Sequence, residues 1–411
     1  MKERDPEESA SGGTLAHPFS PARVFSLRAV RWFELDWHVL ALAIGLLVLG
    51  LVFIRAMSEA DALAERAGDT SAVSFARHFK KMVLCLPAIV IALALRPRFL
   101  RRNAYLLFAG SIALLLLVQV VGGSRNGSQR WIPLPGGFDL QPSELAKIAV
   151  ILALARVLYR NRLERAKDWG PPLAIALLPM ALVALQPDLG TALTLVPITL
   201  GMLYVAGARA SVLLRFVIGA VVVGACVWQF QIGVHDYQLQ RIQTWVDGFR
   251  AQDLIDARGG PAFHSYHARV SIGNGGFFGQ GIGQGVANQA AYLPERDCDS
   301  IFAVVAEELG LVGTTCVLLA YGLMIALMMG SASAIRDRFS RLAAGGIAMY
   351  FAAQLFVNVS VNLGLVPMTG VTLPLFSTGG SSMLVTFTML GLFLGLASHR
   401  EPSLDRDSFR V

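Results

Sequence analysis

Ten long apolar runs follow one another along this chain, at 37–54, 79–95, 104–121, 143–159, 171–186, 189–207, 212–230, 300–329, 343–364 and 382–398. A helix needs about 20 mostly apolar residues to cross a bilayer, so each run predicts a transmembrane helix. The eighth is long enough to tilt or to project beyond the bilayer. The fifth and sixth nearly touch, joined by Gln186-Pro187-Asp188, with the proline supplying the turn. The pattern predicts an all-α polytopic membrane protein of about ten transmembrane helices.

The polar intervals fix the orientation. With the first residues inside, the alternating inside segments carry 21 Lys and Arg and the outside segments 12. The short loop Arg96-Pro97-Arg98-Phe99-Leu100-Arg101-Arg102 is the most telling, because short loops follow the positive-inside rule best. Both termini are therefore expected in the cytoplasm. The organisation is a cytoplasmic tail over 1–34, a transmembrane domain over 35–398 and a cytoplasmic tail over 399–411. Three outer segments stand out, 122–142, 231–298 and 365–381. The extracytoplasmic loop 231–298, between helices 7 and 8, is far longer than a connector requires. Chemistry is expected on the outer face.

Composition agrees. Of 411 residues, 55% are hydrophobic and 15% charged, with mean hydropathy +0.56, which excludes an ordinary soluble globule and a disordered chain. The net charge of +7 is mostly topological, so the partner it implies is anionic membrane lipid and not nucleic acid. The four cysteines make no disulfide framework, and no cleavable signal peptide is evident.

Candidate chemistry collects in the outer segments. Residues 294–299 read Pro-Glu-Arg-Asp-Cys-Asp and lead into the eighth run. Asp299 suits either an N-cap or a general base at the lipid–water boundary. Glu307 and Glu308 fall roughly 12–14 Å deeper on that helix, where they are either functional intramembrane carboxylates or members of a polar network inside the bundle. Glu144 and Lys147, spaced i,i+3 after Gln141-Pro142-Ser143, can pair on one face; alternatively the lysine addresses an anionic headgroup. Asp188 reads as structural. The run Gly-Asn-Gly-Gly-Phe-Phe-Gly-Gln-Gly-Ile-Gly-Gln-Gly at 273–285 fits no dinucleotide or P-loop pattern and suggests close backbone approach to a ligand. His235, His264 and His267 are too few for a metal site, and no metal ligand set is assigned. No transpeptidase signature is present. The segment 367–382 is irregular backbone near membrane depth, tolerated only where protein buries it or it lines a cavity.

Taken in order, the motifs resemble those of the SEDS family, the RodA/FtsW/SpoVE proteins of bacterial cell-wall synthesis. They are Asn126-Gly127-x-x-Arg130-Trp131-Ile132, QPSELAK at 141–147, QPDLGT at 186–191, IGNGG at 272–276, LPERDCD-SIFAVVAEELG at 293–310 and LPLFSTGGSS at 373–382. The match covers most of 36–398. LPER and PMTG look more like RodA than FtsW.

The resemblance implies a peptidoglycan glycosyltransferase in the bacterial cytoplasmic membrane, polymerising lipid II on the outer face. It implies Asp299 as the catalytic base, and Glu144, Lys147, Arg130, Gln141, Ser377 and Ser381 as substrate-binding residues. Lys147 and Arg130 would offset pyrophosphate charge. No cofactor is required, and a divalent cation could share that role. Cross-linking would come from a class B penicillin-binding protein. Rival readings are a lipid II flippase and a non-catalytic scaffold. The chain departs from the family where His-Thr before the aspartate is Asp297-Cys298, where Phe after it is Ser300, where Thr378 replaces Tyr, and where two usual glutamines are His264 and His267.

Overall fold

A computed structural model describes residues 24–25, 32, 35–62, 73–125, 128–134, 138–186, 188–230, 243, 245–246, 263–290 and 293–399. Most of the tail 1–34, residues 400–411, Asn126, Gly127, Pro187, His235 and most of 231–262 lie outside the described residues.

Each apolar run folds as a helix. These are α1 (Trp37–Ala60), α2 (Phe75–Ala94), α3 (Pro97–Val121), α4 (Pro142–Leu158), α5 (Gly170–Leu185), α6 (Leu189–Val205), α7 (Ala210–Phe230), α10 (Ile301–Ala334), α11 (Arg338–Asn362) and α12 (Gly380–Ser398). Two shorter helices, α8 (Phe263–Asn274) and α9 (Val286–Gln289), precede α10. Among the described residues six helices, α1, α3, α5 with the turn before it, α10, α11 and α12, are long and apolar enough to cross a membrane.

Local chemistry sets several boundaries. Pro97 and Pro142 occupy first-turn positions, where a missing N–H is harmless. Asp188 and Asp337 cap α6 and α11 by accepting from Thr191 N and Ser340 N. Between α3 and α4 lies a three-stranded antiparallel sheet of β1 (Gly123–Arg125), β2 (Ser128–Leu134) and β3 (Phe138–Leu140), with β2 central. Its register pairs Ile132 with Leu140 and Leu134 with Phe138.

Burial separates a centre from a periphery. In α11 and α12, 72% of the apolar stretch is buried inside the protein, against 22% in α3. The α3 face that remains carries Leu106, Leu116, Leu117 and Val120 outward, as a lipid-facing helix would. Helix α12 packs on α2 through Gly391 and Gly395, whose positions lie against the Ile89 and Leu93 carbonyls. A Cβ at Gly391 would sit 2.3 Å from the Ile89 oxygen, so only glycine permits this approach.

Helix α10 is broken at Gly310, which has φ +66°. The break strands backbone groups on either side, and the glycine-rich segment satisfies them. Gln280 N and Gly281 N donate to the Glu307 and Glu308 carbonyls at 3.1 and 3.0 Å. Leu311 N and Val312 N donate to the Gly276 and Phe277 carbonyls at 2.8 and 3.1 Å. Gly275 and Gly279 thus allow close backbone approach to α10.

Candidate functional site

Asp299 ends a tight turn over 294–299 and is buried, at 9% exposure. It is not the N-cap of α10. That position is Ser300, and no side-chain cap bond forms there. The capping reading of Asp299 is therefore replaced by an arrangement in which its main chain is clamped. Asn358 Nδ2 and Asn362 Nδ2 on α11 each donate to the Asp299 carbonyl at 2.9 Å, and Asn358 Nδ2 also donates to the Val371 carbonyl at 2.7 Å. Two amides spaced i,i+4 on one apolar helix thus hold the turn and the following loop together.

The segment 373–382 closes over the turn. Thr378 Oγ1 donates to Asp297 Oδ2 at 2.6 Å, and Thr378 N donates to the Asp297 carbonyl at 2.9 Å. Ser377 Oγ donates to the Cys298 carbonyl and accepts from Leu373 N. Among the described residues three non-glycines have positive φ, and two of them, Glu295 (+47°) and Leu375 (+70°), lie in this turn and loop. Such residues cost about 1–3 kcal/mol each and persist where surrounding contacts over-determine them.

Glu295, Asp297 and Cys298 bring ligand atoms within 4.8 Å of one another, the one such group found among the described residues. Thr378 donates to the Asp297 carboxylate, and burial, helped by the Asp297 charge, pushes the Cys298 thiol well above its ordinary range.

The remaining sequence candidates form a second cluster. Lys147 Nζ donates to Glu144 Oε1 at 2.6 Å, fully buried, with the Tyr350 ring 5.8 Å from the ammonium. The lysine therefore faces into the bundle and not an outer surface. Gln141 Nε2 and Ser143 Oγ donate to Asp188 Oδ2 at 2.9 and 3.2 Å. Arg130 Nε donates to the Gln186 carbonyl at 2.8 Å, and its Nη1 lies 3.9 Å from Asp188 Oδ1. Ser381 Oγ accepts from Gln141 N at 2.9 Å and donates to the Asp139 carbonyl. Asp188 thus joins the starts of α4 and α6 to the sheet. The 373–382 segment touches both clusters, through Ser377 and Ser381.

Glu307 and Glu308 serve the bundle interior. Glu307 accepts from Ala287 N and Asn274 Nδ2, and Glu308 from Gly283 N and Asn288 Nδ2. His267 packs against the Phe263 and Tyr266 rings, while His264 Nε2 lies 2.5 Å from Ser300 Oγ and 3.7 Å from Asp299 Oδ1. Sequence reasoning missed the clamp Asn358/Asn362 and the buried pair Arg296–Asp61. Polar amides at i,i+4 in an apolar span were an available signal for the first.

The family model described as a cell cycle protein, FtsW/RodA/SpoVE, matches residues 36–402. The chain belongs to this family. Among its relatives, a probable peptidoglycan glycosyltransferase FtsW of Mycobacterium tuberculosis is 34% identical over 96% of this chain and 73% of its own. The peptidoglycan glycosyltransferase MrdB of Escherichia coli is 35% identical over 79% of this chain and 86% of its own. The rod shape determining protein RodA of Thermus thermophilus superposes with a TM-score of 0.65 at 28% identity, over 90% of this chain and 99% of that one. A solved chain described under structural coordination of polymerization and crosslinking by a peptidoglycan synthase complex reaches 0.72 at 32% identity, over 89% and 98%. With these relatives and its apolar helices, the chain is a multi-pass membrane protein of the SEDS type.

Proposed function

We propose that this protein is a peptidoglycan glycosyltransferase that polymerises lipid II at the outer face of the bacterial cytoplasmic membrane. Relatives named for that activity are 34 and 35% identical over most of the chain. The observation that carries the mechanism is the buried Asp299 carboxylate on a turn clamped by Asn358, Asn362, Ser377 and Thr378 at the head of an apolar helix. In this reading the chain has ten spans with both termini cytoplasmic, and the turn lies at the outer boundary, where the head of a lipid-linked sugar lies while its tail stays in the bilayer.

In the proposed step the acceptor 4-hydroxyl oxygen attacks the donor anomeric carbon. Asp299 takes the hydroxyl proton, the bond from that carbon to the pyrophosphate oxygen breaks, and undecaprenyl pyrophosphate leaves. Displacement inverts the anomeric centre. Lys147 and Arg130 supply positive field for the leaving group. Both lie beside carboxylates, Lys147 with Glu144 and Arg130 with Asp188, which offset part of that field. Gln141, Ser377 and Ser381 shape the site through main-chain and side-chain bonds. The solved relative from a complex of polymerization and crosslinking supports a class B penicillin-binding protein as partner.

The test is polymerisation of purified lipid II by the wild type and Asp299→Ala, with and without the transpeptidase. Loss of at least ~100-fold is expected, in the range of general-base removal. Equal polymer from both forms removes Asp299 as the base. Lipid movement across liposomes without polymer favours a transporter.

A further inference from the structure

We propose a binding site for the headgroup of an anionic phospholipid carrying two phosphates, built from Arg101, Arg162, Arg338 and Arg341 at the end of α10 remote from Asp299. It does not depend on the reading of Asp299 as the base.

The four arginines come from three separate parts of the chain. Arg101 lies near the start of α3, Arg162 in the turn after α4, and Arg338 and Arg341 in the first turn of α11. The guanidiniums of Arg162 and Arg341 lie within electrostatic reach of that of Arg338. Arg101 stands over the Tyr159 ring at 5.1 Å, and the Tyr159 hydroxyl is within reach of Arg338 as well. The carboxylate beside them is Asp337. Its Oδ1 lies 3.7 Å from Arg101, and its Oδ2 caps α11 by accepting from Ser340 N and Ser340 Oγ. Among the described residues no carboxylate forms an ion pair with Arg162, Arg338 or Arg341. Four guanidiniums against one carboxylate leave an excess of three positive charges.

Like charges part unless something holds them, and here the turn after α4 does so. Leu163 is the third non-glycine with positive φ, at +58°, and it is buried. Leu163 N donates to Asn161 Oδ1 at 2.9 Å, Asn161 Nδ2 donates to the Asp168 carbonyl, and Arg338 Nη2 donates to the Asn161 carbonyl at 3.0 Å. Asn161 therefore ties the turn to itself and to α11, and keeps Arg162 beside Arg338 against both backbone strain and repulsion. Strain of this kind persists where the surrounding contacts over-determine it. Arg160, Arg165 and Lys167 in the same loop are exposed, with water to screen them.

Chemistry and place name the ligand. Guanidiniums grip phosphate oxygens with paired N–H donors, and arginine suits this better than lysine. The ends of α3, α4 and α11 stand where the positive-inside pattern expects the cytoplasmic surface, level with the lipid phosphates. One phosphodiester carries a single charge and leaves most of the excess unmet. A lipid with two phosphates joined through glycerol answers more of it, and guanidiniums from three elements can divide the two groups. The net charge of the chain implies only diffuse attraction to anionic lipid, whereas this cluster singles out one place and one class of headgroup.

The experiment is binding of acyl-labelled fluorescent diphosphatidylglycerol to the purified full chain in neutral detergent micelles. Arg162→Gln and Arg341→Gln are each expected to weaken binding about 5-fold and together about 20-fold, while Lys167→Gln in the same loop changes it less than about 2-fold. Arg162 is exposed, so Arg162→Gln decides the matter if Arg341→Gln fails to fold. Unlabelled phosphatidylglycerol at equal phosphate should compete at least about 5-fold less well than unlabelled diphosphatidylglycerol. Equal losses in Arg162→Gln and Lys167→Gln show diffuse surface charge and overturn the proposal. Equal competition by the two lipids overturns the two-phosphate assignment. Displacement of the probe by millimolar inorganic phosphate, at constant ionic strength, shows a site for a soluble anion and overturns the lipid assignment.

Discussion

Three residues before Asp299, Arg296 is buried and paired with Asp61 at the end of α1, and it donates to the Asn288 carbonyl at 2.5 Å. Asp61 in turn accepts from Val73 N at 2.9 Å. One guanidinium therefore anchors the candidate base's turn to α1 and to α9. Removing one partner of a buried pair leaves an uncompensated charge, which costs about 3–5 kcal/mol. Arg296→Met should lower the melting temperature in detergent by several degrees, and Asp61→Leu added to it should restore part of the loss. An unchanged melting curve for Arg296→Met would show that the pair contributes nothing. The residue pattern alone left Asp299 open between a cap and a base, and the resemblance of its motif marked it as the base. It did not mark Arg296, Asn358 or Asn362 as its supports, since the Asn358–Asp299 and Arg296–Asp61 bonds that make them so span 59 and over 200 residues of chain. The hydroxyls of Ser377 and Ser381 were legible as motif positions, but their bonds to main-chain groups were not.

Among the elements, the interlock between the glycine-rich segment and the break in α10 depends on glycine for two separate reasons. Gly279 has φ +79°, and a Cβ there would fall 2.2 Å from the Glu308 carbonyl oxygen. Gly279→Ala combines left-handed strain with a clash against backbone that cannot move aside. It should destabilise the protein by at least about 2 kcal/mol, read from thermal unfolding, and should depress polymerisation with it. A melting temperature equal to wild type would rule out the interlock as described. The same variant at Gly281, whose Cβ would meet only the Gln284 side chain at 3.7 Å, should be milder. Glycine spacing announces that backbone comes close to something. It does not say whether that neighbour is a ligand or another part of the chain, and for this segment the neighbour is α10.

At the scale of the whole molecule, the helices were the most legible feature. In a bilayer the surface and the core of a helix are both apolar, so each run is marked along its whole length. What the runs could not reveal is which helices are central. Mean hydropathy is similar for the spans of α10 and α3, yet α11 and α12, with lower hydropathy, are far more buried. Their glycine, asparagine and hydroxyl side chains let helices approach and bond, and this polar content lowers the apolar signal where packing is densest. The sheet was not predicted at all, because three short strands between two spans leave no periodic trace.

The break at Gly310 divides α10 into Ile301–Leu309 and Leu311–Ala334, the second about 36 Å long against the roughly 30 Å of an average hydrocarbon layer. A span longer than the layer tilts, kinks or thickens it locally, and the response changes with membrane thickness. Leu311 N and Val312 N bond the Gly276 and Phe277 carbonyls, and Tyr321 Oη donates to the Pro374 carbonyl in the loop that closes over the Asp299 turn, so this segment is joined to the site by main chain and by a buried side chain. The catalyst is thereby coupled to the dimensions of its solvent. Polymerisation in vesicles whose monounsaturated lipids run from 16 to 20 carbons should vary by about 3-fold or more. A flat profile would mean that the lean of this segment stops short of Asp299.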